Sequence, residues 1–141
     1  MRVVRIVVAV VLLGAGAAGC LPRPKQDYTL DQLKQMDSLE EIMRVQAATM
    51  DPQWKKMGPA ELSAADFGAL AEAGQRMEAT AEAIRSRHSE KRQPGFLTLA
   101  EQFGKQAREL VGFATAKDGE HTKTALKAMK ETCATCHREY R

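Results

Sequence analysis

The sequence predicts an all-α protein, an antiparallel up-and-down four-helix bundle. Three observations carry that expectation. No alternating run of β-branched residues occurs after residue 20, so nothing reads as a strand. Four stretches repeat apolar side chains at steps of three and four, as helices with one buried face do. The breaks between them are mostly short and hold Gly, Pro or Asp, which favours antiparallel neighbours.

The first helix is expected over residues 30–50, with Leu33, Met36, Ile42, Met43, Ala47 and Met50 inward. Ser38 and Glu41 offer a capping box, which allows the regular helix to begin only there. Pro52 stops this helix, or opens a short extra turn with Asp51 as its cap, and Gly58-Pro59 is a firm break. The second helix is expected over residues 63–88, along Phe67, Leu70, Gly74, Met77, Ala81, Ile84 and His88. Residues 89–95 read as a loop ending in Pro94-Gly95. A third helix over residues 96–117 turns Phe96, Leu99, Phe103, Ala107, Leu110 and Ala114 inward, and Asp118-Gly119 punctuates it. The last, residues 120–140, has Ala125, Met129, Cys133, Cys136 and Tyr140 on one seam. Antiparallel order gathers the start of the first helix, the end of the second, the start of the third and the end of the last at one pole. His121 falls at the opposite pole and reads as a surface residue.

The most specific motif lies in the last helix: Cys133-Ala134-Thr135-Cys136-His137. Two thiols three apart with an imidazole directly after the second is the attachment signature of a c-type haem. Each thiol adds across one haem vinyl group, and the histidine supplies the proximal nitrogen to iron. On a helix these three residues share one face. A redox dithiol is the nearest alternative, but it normally opens a helix in a βαβ setting. A zinc site would want a fourth ligand from another close pair, and none is present. The bundle is therefore expected to carry one covalent haem c near its C-terminus, attached through Cys133 and Cys136 with His137 as proximal ligand.

The N-terminus supplies a compartment. Arg2 and Arg5 precede an apolar run over residues 6–19, too short to span a bilayer comfortably, which reads as a signal-peptide core. The run ends in Ala17-Ala18-Gly19-Cys20, small residues before a cysteine as in the lipobox of bacterial lipoproteins. Plain cleavage after Ala17 is the alternative and would leave Cys20 an unpaired thiol in an oxidising space. The expected organisation is a signal peptide at 1–19, a lipidated Cys20 with a Pro-stiffened linker at 20–28, and a cytochrome domain at 29–141. Loss of Arg2 and Arg5 lowers the basic count from 21 to 19 against 18 acids, a nearly neutral balance that does not argue for nucleic-acid binding.

The end of the chain, Cys-Ala-Thr-Cys-His-Arg-Glu-Tyr-Arg, resembles the class II cytochromes c, cytochrome c-prime and its low-spin relatives. The resemblance covers the chain from about residue 30, with Tyr140 and Arg141 matching the aromatic and basic residues that follow the family's haem motif. It implies a periplasmic electron carrier rather than an enzyme, with redox partners in the periplasm or membrane, and often a homodimer formed through the first two helices. Low-spin members take a sixth ligand from a first-helix methionine that precedes a basic residue, with another methionine seven positions on; Ile42-Met43-Arg44 and Met50 match that pattern, which implies Met43 as distal ligand. High-spin members, which bind nitric oxide or carbon monoxide at five-coordinate iron, carry an Arg-Gln pair that is interrupted here as Arg44-Val45-Gln46. Met36, Met43, Met50 and Met57 recur every seven residues, a stripe that also serves as core filling. Met50 and His88 remain alternative ligands, His88 reading otherwise as a helix C-cap. The family's basic residue implies a propionate contact for Arg141. Lys123, Lys127 and Lys130, with Arg138, form an edge that reads either as a solvated face or as a dock for an acidic partner.

Overall fold

The computed structural model describes residues 28–89 and 93–140, helices joined by turns and short irregular segments. The expected signal peptide, Cys20 and Arg141 lie outside the described residues. Helix α1, Leu30–Lys34, starts at Thr29, whose hydroxyl accepts from the Gln32 N–H while the Gln32 side chain accepts from the Thr29 N–H. It is separate from α2, Leu39–Trp54. The single first helix expected over residues 30–50 is thus broken between Lys34 and Leu39. Ser38 starts a new helix by accepting from the Glu41 N–H at 3.2 Å, and the break lets Met36 turn into the core, where it is 7 % exposed. Glu41 does not complete the box; its carboxylate takes the Tyr28 hydroxyl instead.

Pro52 does not stop α2. The helix runs through it to Trp54 and continues as a 3-10 turn, Lys55–Met57. Trp54 and Met57 pack on the core there, and that burial holds the chain helical past the missing N–H. Helix α3, Ala64–Arg87, matches its stripe and its caps: Ser63 and Asp66 form a full capping box, and His88 is the C-cap. Helix α4, Pro94–Thr115, starts inside the segment read as loop, because Pro94 occupies the first helical position, where its missing N–H costs nothing. It ends with Lys117 at φ 56°, so a lysine takes the left-handed position and Gly119 instead opens α5, Gly119–Tyr140. Asp118 caps α5, accepting from the His121 N–H at 3.1 Å.

The core divides along the axis. One cluster gathers Met50, Leu70, Met77, Phe103, Leu110, Leu126 and Met129. The other gathers Leu33, Met36, Ile42, Val45, Ile84 and Phe96, with Met43, Cys136 and Tyr140 packed against it. This second cluster joins the start of α2, the end of α3, the start of α4 and the end of α5, the pole expected from antiparallel order. Helices α3 and α4 approach most closely: a Cβ on Gly74 would lie 2.7 Å from Val111 Cγ2, and one on Gly104 would lie 3.2 Å from Ala81 Cβ. Helix α5 packs along α4 and α2 along α3, but α2 and α5 share no extensive backbone contact. The fold leaves a cleft between them.

Candidate functional site

Three adjoining lobes make up the cleft, with volumes of about 40, 280 and 580 Å³. Met43 from α2 and His137 from α5 line all three. The innermost lobe is walled by Ile84, Phe96, Leu99, Ala100 and Phe103 and holds both Cys133 and Cys136. The middle lobe runs along α2 past Met43, Ala47, Met50 and Trp54 to Lys130 of α5. The outer lobe opens at the pole between Leu39, Met43, Arg44, Phe96 and Tyr140.

Helical spacing puts Cys133, Cys136 and His137 on one wall. Both thiols are half-buried and free of any disulfide, whereas the His137 imidazole is exposed. Burial, with a smaller contribution from Cys136, pushes the Cys133 thiol up to about 11. Burial followed by the Glu139 carboxylate raises Cys136 as well. Both are therefore neutral near neutral pH, as an apolar wall demands.

Two rings close the outer end. Tyr140 meets Phe96 edge-on, centroids 5.7 Å apart at 79°. Its hydroxyl packs so tightly on Gly95 that a Cβ there would lie 2.2 Å from it. Arg44, exposed at the rim, pairs with Glu40.

The other sequence candidates are spread out. Met50 is 2 % exposed and shared between the core and the middle lobe. His88 ends α3, its backbone N–H bonded to the Ile84 carbonyl at 3.1 Å, and is not among the residues lining the three lobes. His121 is exposed, bonded to Asp118 and stacked on Phe113. The lysine edge is partly committed: Lys123 donates to the Gly58 and Ala60 carbonyls at 2.8 and 2.6 Å, and Lys130 lies 5.9 Å from the Trp54 ring centre. Among the described residues no group of three or more His, Cys, Asp or Glu is placed to hold a metal ion.

Some cleft residues were not among the site residues expected from the sequence. Met43, Ala47, Met50 and Trp54 follow one another at steps of four, three and four, so periodicity could have found Trp54. Gln46, three after Met43, lines the inner and middle lobes, and its Nε2 donates to Thr80 Oγ1 at 3.0 Å. No local pattern signals that partner.

The family model described as cytochrome C′ matches residues 31–141. Neither the curated proteins nor the solved structures give a match.

Proposed function

This chain belongs to the cytochrome c′ family and is a haem-binding c-type cytochrome, and from that premise we propose that it carries single electrons through one haem c tethered by Cys133 and Cys136. The residues fit such a group. The cleft is lined mainly by apolar side chains and lies in the size range of ligand pockets, with two neutral thiols and an accessible imidazole on one wall. When bound, the group supplies a one-electron iron couple. His137 holds the iron from α5, and Met43 offers a soft neutral thioether from α2 that favours the reduced state. Phe96, Leu99 and Phe103 keep water off the inner face.

The observation that carries this reading is that Met43 and His137, from opposite ends of the chain, line the same three lobes. The N-terminal pattern supports a periplasmic lipoprotein anchored at Cys20. The acting partners are then redox proteins of the periplasm or the membrane, and the protein is an electron carrier rather than an enzyme. Among the described residues no helix is long and apolar enough to cross a membrane.

The test is the optical spectrum of the reduced protein matured in a haem-competent host. A low-spin spectrum that Met43→Ala abolishes and Met50→Ala preserves supports the proposal; a high-spin wild-type spectrum refutes it. A second reading, a five-coordinate binder of nitric oxide or carbon monoxide, is favoured by the half-buried state of Met43 and the roughly 280 Å³ lobe beside it. Rapid carbon monoxide binding to the reduced protein, without displacement of a ligand, would establish that reading.

A further inference from the structure

The cleft carries one polar side chain whose orientation is dictated from the opposite side of the core. Gln46 lies three residues after Met43 on α2, so the two are neighbours on one helix face. Its Nε2 is 3.0 Å from Thr80 Oγ1 on α3. Thr80 is fully buried, and its hydroxyl donates to the Met77 carbonyl at 2.9 Å. A threonine hydroxyl has one proton to give. With that proton committed to Met77, Thr80 can only accept from Gln46. The amide is thereby fixed nitrogen-inward, and its carbonyl oxygen is left for the cleft that Gln46 lines.

We propose that Gln46, positioned by Thr80, sets the reduction potential of the group bound in the cleft. The negative end of a fixed amide dipole beside Met43 stabilises the oxidised, more positive state. In a partly buried site such a dipole acts more strongly than it would in bulk solvent. On the same lobe Ile84, Phe96, Leu99, Ala100 and Phe103 are apolar, and the Thr132 hydroxyl is engaged from outside, accepting from Gln102 Nε2 at 3.4 Å. Thr80 is a positioning residue: it acts only through the orientation of Gln46. This inference rests on the electron-carrier reading above and names a determinant of its potential.

The test is spectroelectrochemical titration of the holoprotein and five variants. Gln46→Leu is expected to raise the midpoint potential, shifting the oxidised-to-reduced ratio at fixed potential about three- to tenfold, where tenfold is 59 mV for one electron. Thr80→Val should shift it in the same direction, and the double variant no further than Gln46→Leu alone, because both changes remove one oriented dipole. Thr80→Ser keeps the hydroxyl and should keep the wild-type potential. Gln46→Glu places a full negative charge at the same point and should move the potential the other way, a reversal that loss of stability does not produce. A Gln46→Leu ratio within twofold of wild type, additive effects of the two sites, or a Gln46→Glu shift of the same sign as Gln46→Leu would overturn the proposal. A high-spin wild-type spectrum refutes Met43 ligation, while the order of these potentials still decides the role of Gln46.

Discussion

Gly74 is a position where a single methyl group would meet neighbours that cannot easily give way. A Cβ there would sit 2.7 Å from Val111 Cγ2 and 3.0 Å from the Ala107 carbonyl oxygen. Val111 is β-branched and stiff on its helix, and the carbonyl is backbone, so α3 and α4 must part rather than a side-chain tip swing away. Overpacking of this kind costs about 1–3 kcal/mol, and the gain in helix propensity from glycine to alanine returns only about 0.5–1 kcal/mol. Gly74→Ala should therefore lose about 1–2 kcal/mol net, a fall of about 5–10 °C in Tm for a domain of this size. Two glycines serve as controls on the same helices. Gly68 in α3 and Gly112 in α4 have no atom within 4 Å of a built Cβ. Alanine at either should raise Tm by about 2–5 °C through propensity alone. Thermal unfolding followed by far-UV circular dichroism reads all three. The reasoning is refuted if Gly74→Ala is neutral or stabilising, or if the three substitutions behave alike.

Lys123→Met removes the donor from the Gly58 and Ala60 carbonyls; chemical denaturation should show a loss of about 1–2 kcal/mol with the haem spectrum unchanged, since hydrogen bonds to charged groups contribute about 1.5–3 kcal/mol and this one is partly exposed. Acid should destabilise the bundle through two helix caps. Asp66 is held well below the ordinary carboxylate range by the Ser63 hydroxyl and backbone N–H and then by Lys56, and Asp118 is lowered by the His121 N–H and ring. A carboxylate whose folded value is depressed contributes its full stability above the ordinary value and loses it as pH falls towards the folded value. Denaturation midpoints should therefore be flat near neutrality and decline below about pH 4, and Asp66→Asn should shrink that decline.

The sequence and the structure agree best where two local signals coincide. Helix α3 has both an unbroken apolar stripe and a Ser-x-x-Asp cap, and its span matches from cap to cap. The first helix misled because Leu33, Met36 and Ile42 keep near-helical spacing across a break, and burial of Met36 needs the chain to leave the helix there. Pro94-Gly95 carries a turn signature, yet proline is equally at home at a first helical position. In the cleft, the Cys133, Cys136 and His137 wall followed from spacing alone, and its pole followed from helix order. The standing-off of α2 from α5 did not, because it is a property of how helices pair. Nor did the bond between Gln46 and Thr80, which links residues 34 apart in the chain. Such pairings leave no periodic trace.

The open seam between α2 and α5 also makes the two walls of the cleft unequal. Helices α3, α4 and α5 form a continuous packed layer, whereas α2 hangs on α3 between a short break at one end and a loop at the other. A group held in the seam therefore meets a packed three-helix layer on one side and a single strut on the other, a strut tied to α5 chiefly through its continuation, Lys55–Met57.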